Sequence, residues 1–152
     1  TESKADLAHQ HGCDHVIIHG REDIVARVRA LTDGVGVSVV YDGVGKATFM
    51  ASLDCLRRRG MLVTFGNASG AVPPFDPLLL TQKGSLFLTR PKLADYMTQR
   101  SELLALADEL FGFMATGKLH IRINQTYALA DAAQAHRDLE ARRTTGSTVL
   151  LP

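Results

Sequence analysis

A glycine-rich turn is the part of this sequence whose residue types are best suited to bind a phosphate group. It occupies residues 43–48, Gly-Val-Gly-Lys-Ala-Thr, and directly follows the β-branched run Val37–Asp42. In a dinucleotide-binding GxGxxG motif the third glycine would stand where this chain has Thr48. An acidic residue about 20 positions further on would bind a ribose, but that region is the apolar stretch Val63–Phe65. The primary dinucleotide motif is therefore not met.

The same turn also fails as a P-loop of the form GxxxxGK[ST]. Lys46 is followed by Ala47, and Val40 stands where the first glycine is required. Glycine still lets a backbone approach a ligand closely, because it has no Cβ. We therefore predict a secondary role, in which Gly43 and Gly45 form a strand-end turn against a bound molecule.

Histidine and cysteine alternate near the amino terminus in a pattern that resembles metal ligands. Residues two apart on a helix do not share a face, whereas structural zinc needs four convergent ligands. We therefore predict no metal site among His9, His11, Cys13 and His15. His120 and His136 have no paired nucleophile, and no carboxylate pair stands out. The chemistry is predicted to come from a bound cofactor.

Composition excludes several classes of function. The 152 residues carry 17 Lys and Arg against 16 Asp and Glu, a net charge of +1, so no strong field attracts nucleic acid or anionic membranes. No apolar run approaches the roughly 20 residues of a membrane span, and no signal-peptide pattern is present. The two cysteines, Cys13 and Cys55, have no partner at metal-like spacing. We predict a cytoplasmic α/β chain.

Four short apolar runs predict the strands of a parallel sheet. They are apolar at successive positions, as strands covered on both faces are, and helical segments separate them. The runs are His15–His19, Val37–Asp42, Met61–Gly66 and Ser85–Thr89. Ligands of such sheets bind beyond the carboxyl ends of the strands. Since the expected glycine-rich phosphate loop is absent, we predict a doubly wound sheet that lacks its first strands.

Besides a helix that opens the chain and a helix that follows Asp23, two further helices are predicted from apolar stripes. The first begins after Gly45 and ends in the run 57–60, Arg-Arg-Arg-Gly, where positive charge favours the helix dipole. The second follows Arg90-Pro91, which marks the predicted domain boundary, and its buried stripe is Leu103, Leu106, Leu110 and Phe113. An extended segment at 120–129, a short helix after Asp131 and a terminal strand at 148–151 complete the prediction.

Several stretches carry a family pattern in the same order along the chain. They are 41–45 (Tyr-Asp-Gly-Val-Gly), 52–60 (Ser-Leu-Asp-Cys-Leu-Arg-Arg-Arg-Gly), 65–70 (Phe-Gly-Asn-Ala-Ser-Gly), 82–91 (ending in Thr-Arg-Pro) and the closing segment from Ala135 to Pro152. Together they resemble the zinc-free quinone oxidoreductases, the ζ-crystallin-like branch of the medium-chain dehydrogenase/reductase superfamily. The resemblance covers nearly all of the chain, and it is strongest with the bacterial NADPH:quinone oxidoreductases.

The resemblance implies an enzyme roughly twice this length. Residues 1–90 would be the remainder of an NADPH-binding Rossmann domain, and residues 91–152 the carboxyl-terminal return segment of the catalytic domain. The implied activity is metal-free hydride transfer from NADPH to quinones or other electron-poor alkenes and carbonyls. The implied assembly is a homodimer paired through strand 85–89. Alone, the chain is expected to be inactive.

The resemblance also implies cofactor contacts, although it assigns no catalytic residue. Lys4 matches a lysine that holds the adenosine 2′-phosphate, and His19 stands where close relatives have a tyrosine. The other matching positions are Gly43 and Val44 under the adenosine, Phe65, Gly66 and Asn67 near the nicotinamide, Arg90 and Pro91 at the next strand end, and Arg142, which reaches back to the cofactor. Lys4 as a solvated helix lysine and Arg142 as a surface partner of Glu140 remain alternatives.

Two other functions remain open from the sequence. The first is an enoyl reductase of the same superfamily, because most of the substrate pocket would lie outside this chain. The second is a non-catalytic, crystallin-like binding protein, since relatives have been recruited in that way.

Overall fold

The computed structural model describes all 152 residues, which form two compact units, Thr1–Asp95 and Tyr96–Pro152. The first contains helix α1 (Glu2–Gln10), helix α2 (Ile24–Leu31), strand β1 (Val37–Asp42), helix α3 (Phe49–Cys55), strand β2 (Leu56–Thr64), helix α4 (Leu78–Gln82) and strand β3 (Phe87–Thr89). A 3-10 helix, Leu93–Tyr96, follows. The second contains helix α5 (Arg100–Ala115), strand β4 (Ile123–Ala128), a 3-10 turn (Leu129–Asp131), helix α6 (Ala132–Glu140) and strand β5 (Ser147–Leu151).

The first unit is built on a three-stranded parallel sheet in the order β1-β2-β3. Parallel neighbours joined through helices are the expected βαβ arrangement, so the predicted α/β fold is confirmed. Helix α3 covers the sheet with its buried stripe. The core consists of Phe49, Leu53, Leu56, Leu62 and Leu86, with Val37, Val40, Val72, Leu79, Leu80 and Leu88 packed against it.

The prediction that the arginine run closes a helix is wrong. Helix α3 ends at Cys55, and the chain enters β2 at Leu56, which is buried in the core. Val37 pairs with Leu56 but Val39 pairs with Met61, so the residues between them bulge out of the ladder. Arg59 has a left-handed φ of 57°, and its N–H donates to the Gly84 carbonyl. Burying the Leu56 side chain stabilises the fold more than placing the arginines in the last turn of a helix would. The chain therefore leaves the helix at Leu56, and the arginines are exposed.

The predicted strand at His15–His19 does not form. Its residues lie outside any strand and make a single bridge, from His19 to Glu22. β1 pairs only with β2, which leaves its other edge open. An apolar run becomes a strand only when a neighbour completes its hydrogen-bond ladder, and no other strand of this unit lies beside it.

Arg29 lies where strands β1 and β2 begin, and it joins the segments that meet there. Its guanidinium donates to the carbonyl oxygens of Gly34 (3.0 Å), Val35 (2.6 Å), Asp54 (2.7 Å) and Leu56 (3.0 Å). It therefore satisfies carbonyls in the loop after α2, in the last turn of α3 and at the first residue of β2.

Arg29→Lys is expected to lower the free energy of unfolding by about 1–2 kcal/mol, because an ammonium cannot span four carbonyls in one plane. Urea unfolding followed by circular dichroism measures the loss. Arg27→Lys is the matched control, since Arg27 lies on the same helix and only faces Glu22 at 3.7 Å. Equal small effects for both substitutions would contradict the assigned role of Arg29.

The second unit pairs β4 with β5 in parallel, and α6 buries Ala135. Helix α5 has the predicted apolar stripe, but the prediction that this stripe is buried is wrong. Leu103, Leu106, Leu110 and Phe113 are 42–47% exposed, and the helix has no buried residue. Burial needs a facing apolar surface, which the elements of this unit do not supply.

Candidate functional site

The carboxyl ends of the three parallel strands meet at one edge of the first sheet. Asp42, the last residue of β1, pairs with Thr64 of β2, and Val63 pairs with Thr89 of β3. The loops that follow these strands therefore begin side by side. This edge is where open α/β sheets bind their ligands, and most of the predicted site residues lie in these loops.

Asp42 organises the turn after β1. Its Oδ1 accepts the backbone N–H of Val44 at 2.8 Å and of Gly45 at 3.1 Å. Its carboxylate also accepts the hydroxyls of Thr48 and Ser52, the latter at 2.8 Å. Burial alone would raise the pKa of Asp42, but these donors, the Gly45 amide first among them, outweigh burial and lower the pKa below its ordinary value. The turn is therefore built around a fixed negative charge.

The turns after β1 and β2 approach each other so closely that side chains are excluded between them. A Cβ on Gly66 would overlap the Gly43 carbonyl oxygen and lie 2.8 Å from the Gly43 Cα. A Cβ on Gly43 would lie 3.1 Å from the Phe65 ring. The Phe65 N–H donates to the Asp42 carbonyl at 2.9 Å and extends the pairing beyond the strands. Gly66 is thus required by contact with backbone, whereas a Cβ on Gly43 would press only on the Phe65 side chain.

Ser69 joins the two loops further out. Its N–H and hydroxyl both donate to the Val44 carbonyl at 2.8 Å, and its Oγ accepts the Ala47 N–H at 2.9 Å. The Lys46 N–H donates to the Gly70 carbonyl at 3.0 Å. The loops 43–48 and 65–70 therefore form one hydrogen-bonded rim.

Arg90 joins the end of β3 to this rim. Its Nη1 donates to the Thr64 hydroxyl at 3.2 Å, the Gly66 carbonyl at 3.2 Å and the Asn67 side-chain oxygen at 3.3 Å. Beside it lies a cavity of about 260 Å³, lined by Phe49, Thr64, Asn67, Ala71, Val72, Phe75, Leu88 and Arg90. The cavity is mainly apolar with an amide and a guanidinium at its edge, which suits a flat ring that carries a polar substituent.

The structure thus brings together six of the predicted site residues, namely Gly43, Val44, Phe65, Gly66, Asn67 and Arg90, with Pro91 next in the chain. His19 lies elsewhere, in a second cavity of about 370 Å³ that Thr48 also lines. Lys4 lies in helix α1, and Arg142 belongs to the second unit.

Two residues that hold the site together were missed by sequence reasoning. Asp42 and Ser69 were noticed only as parts of motifs, although they supply most of the contacts of the rim. For Asp42 a signal existed, because an acidic residue at a strand end is followed by hydroxyl residues six and ten positions later, Thr48 and Ser52. Ser69 has no comparable signal, since its contacts are made 22 and 25 positions away.

The histidine, cysteine and acidic side chains form no group of three or more that could hold a metal ion. None of the helices combines the length and the apolar character that crossing a membrane would need.

Comparison with known proteins places this geometry in a family. The family model described as zinc-binding dehydrogenase matches residues 11–150. A quinone oxidoreductase of Pseudomonas aeruginosa is 55% identical over 149 residues, covering 98% of this chain and 46% of that protein. A 2-haloacrylate reductase of a Burkholderia species is 46% identical over 153 residues, covering 100% of this chain and 46% of that protein.

The crystal structure of Escherichia coli quinone oxidoreductase complexed with NADPH superimposes with a TM-score of 0.95 at 47% identity, covering 100% of this chain and 47% of that one. The chain therefore spans about half the length of the relatives it matches. It corresponds to their carboxyl-terminal part. Since the family model matches nearly the whole sequence, the chain belongs to the zinc-binding dehydrogenase family.

Proposed function

We propose that this chain forms one rim of the NADPH site of an oxidoreductase that transfers hydride to quinones without a metal. The observation that carries the proposal is the contact between Gly43 and Gly66. At this contact the carboxyl edge of the sheet presents backbone without side chains. The likeness to an NADPH complex of a quinone oxidoreductase supports the choice of cofactor.

The rim offers a dinucleotide a stretch of backbone without side chains, because Gly66 packs against Gly43 and neither residue has a Cβ. Gly43 and Val44 would lie under the adenosine portion, while Phe65, Gly66 and Asn67 would line the nicotinamide end. Arg90 and the following Pro91 would close that end, and the contacts of Arg90 hold the Asn67 side chain in place. When bound, NADPH supplies the hydride; these residues orient its rings and exclude water.

Lys4 and His19 are proposed for the adenosine 2′-phosphate, and Arg142 is proposed to contact the cofactor without an assigned position. A phosphate that distinguishes NADPH from NADH needs cations, and a charge-assisted hydrogen bond is worth about 1.5–3 kcal/mol. Lys4 would supply the cation for this phosphate. His19 differs from the tyrosine expected there, and it contributes an imidazole beside the 370 Å³ cavity.

The domain assignment and the assembly complete the proposal. Residues 1–90 form the remainder of the cofactor domain, and residues 91–152 form the return segment of the catalytic domain. β3 is an edge strand with Phe87 53% exposed, which supports a homodimer paired through strand 85–89. The protein is proposed to act in the cytoplasm, where reducing conditions would keep the thiols of Cys13 and Cys55 free.

The test measures NADPH oxidation by the whole protein that carries this chain, with 1,4-benzoquinone as the acceptor. Oxidation that depends on quinone is expected. Tight NADPH binding without turnover on any acceptor would instead identify a crystallin-like binding protein, and absence of NADPH binding would refute the proposal.

A second candidate function is reduction of an activated alkene. The 46% identity with a 2-haloacrylate reductase favours it, because the substrate of that enzyme is an electron-poor alkene. Comparing kcat/KM for benzoquinone, 2-chloroacrylate and an enoyl thioester decides between the two. A value for either alkene above that for quinone would replace the leading assignment.

Lys4→Ala is expected to raise the KM for NADPH by about 10-fold or more and to leave the KM for NADH within about 2-fold, because only NADPH carries the 2′-phosphate. Steady-state kinetics with both cofactors measures the difference. Lys118→Ala is the control, since it also removes an exposed lysine but lies outside the proposed site. Equal losses for both cofactors would remove Lys4 from the phosphate site.

A further inference from the structure

Three consecutive arginines stand outside the strand ladder at the amino-terminal end of β2. Val37 pairs with Leu56 and Val39 pairs with Met61, so residues 57–60 have no partner on β1. The arginines at positions 57–59, here called the arginine loop, are all exposed. An irregularity of this kind redirects side chains, and proteins retain such features where the direction of a side chain matters.

The arginine loop is held by the segments on both sides of it. The Arg59 N–H donates to the Gly84 carbonyl at 2.9 Å, on the segment that leads into β3. On the other side, Nε of Arg57 donates to the Ser38 hydroxyl of β1 at 2.9 Å. Arg59 has a φ of 57°, which is unfavourable for a residue that carries a Cβ. Glycine would avoid this strain, so the loop presents an arginine there at a cost in stability.

The positive charge of the arginine loop is not neutralised by the fold. None of its three guanidinium groups pairs with a carboxylate. Asp54, the acidic residue nearest to the loop in sequence, pairs with Lys83. Arg29 adds a further cation beside the loop, because its guanidinium donates to the Asp54 and Leu56 carbonyls and has only neutral acceptors. Like charges in one place repel each other, and a bound anion would relieve that repulsion.

The arginine loop lies at the end of β2 opposite the proposed cofactor rim. Strand β2 ends at Thr64, where the rim begins. Arg59 and Thr64 are 64 − 59 = 5 positions apart. At about 3.3 Å per residue, the two ends of this stretch lie roughly 17 Å apart. The charge of the loop is therefore separate from the rim.

We propose that the arginine loop binds a small free anion that carries several linked phosphate groups. Arginine presents a planar fork of donors that matches phosphate oxygens in pairs. A phosphate group carries about 1.5–2 negative charges, so two or three linked groups balance the charge of the loop. The whole chain has a net charge of only +1, which gives no extended field for a nucleic acid or a membrane. Such an anion would bind whether or not the proposed oxidoreductase activity is correct.

The experiment measures the calorimetric Kd of sodium tripolyphosphate for the whole protein that carries this chain, at constant ionic strength. Arg58→Gln is expected to raise this Kd by about 10-fold, because it removes one charge-assisted contact. Arg122→Gln is the matched control, since Arg122 is also exposed but belongs to the second unit. Its Kd should stay within about 2-fold of the wild-type value. No binding to the unmodified protein, or equal Kd values for wild type and Arg58→Gln, would overturn the inference.

Arg59→Gly separates anion binding from stability. Glycine adopts the left-handed conformation without strain, so the Tm of the whole protein is expected to rise by about 2 °C. The same substitution is expected to raise the Kd for tripolyphosphate by about 10-fold, because a guanidinium is lost. A residue kept only for the fold would behave differently: a lower Tm with an unchanged Kd would remove Arg59 from the anion site.

Two further ligands establish where the anion binds and what it is. Saturating NADPH is expected to leave the Kd for tripolyphosphate within about 2-fold, because loop and rim lie at opposite ends of β2. Competition between the two would place the anion in the rim and overturn the inference. An oligoglutamate peptide of equal charge is expected to bind at least about 10-fold more weakly. Tighter binding of the peptide would replace the phosphate ligand with an acidic protein segment. If NADPH does not bind at all, the proposed function fails, while Arg58→Gln still decides the role of the loop.

Discussion

Gly66→Ala is expected to lower the free energy of unfolding by about 3–5 kcal/mol, because the added methyl group has no room between the two strand-end turns. The Cβ would overlap the Gly43 carbonyl oxygen and lie 2.7 Å from the carbonyl carbon. These are backbone atoms, so no flexible side chain can move aside. The β1 and β2 turns would have to separate, which would break the bond from the Phe65 N–H to the Asp42 carbonyl.

Urea unfolding of the purified protein measures this loss, and the separated turns should also abolish NADPH binding. Gly112→Ala provides the control, because a Cβ there meets nothing within 4 Å and Gly112 lies inside helix α5. That substitution should stabilise the protein by about 0.5–1 kcal/mol. Gly66→Ala with an unchanged urea midpoint would show that the two turns do not need their close contact.

Asp42→Ala is expected to cost about 3–4 kcal/mol of unfolding free energy. The substitution leaves the amides of Val44 and Gly45 and the hydroxyls of Thr48 and Ser52 without their acceptor. An unsatisfied buried donor costs about 1–3 kcal/mol, and relaxation toward water recovers part of that cost. Because the same turn carries Gly43, NADPH affinity should fall together with stability.

The pH dependence of stability separates the charge of Asp42 from its shape. Its pKa is lowered in the folded protein, so its stabilisation is complete above the unfolded value of about 3.9 and is lost as the pH falls through the folded pKa. Asp42→Asn keeps the shape but not the charge, and its unfolding free energy should fall less steeply on acidification. If the wild-type protein and the Asp42→Asn variant lost the same unfolding free energy on acidification, the charge of Asp42 would contribute nothing to stability.

The sequence was most informative where a pattern is local. The β-branched run at Val37–Asp42 became β1 as predicted, and the glycine turn after it lies at the ligand-binding edge. The prediction failed where a distant partner decides the outcome. The apolar run at His15–His19 lacks a neighbour in the sheet, and burial of Leu56 ended α3 before the arginines. Local periodicity contains neither of these constraints.

The sequence by itself determined the parallel α/β fold, the positions of the strand-end glycines and the types of residue that could contact a dinucleotide. These features follow from hydrophobic periodicity and from the conformational freedom of glycine. Only the tertiary structure decided that Gly43 touches Gly66 and that Arg90 holds Asn67. Both contacts join residues more than 20 positions apart. Such contacts form because packing brings loops together, so they become visible only once the sheets are assembled.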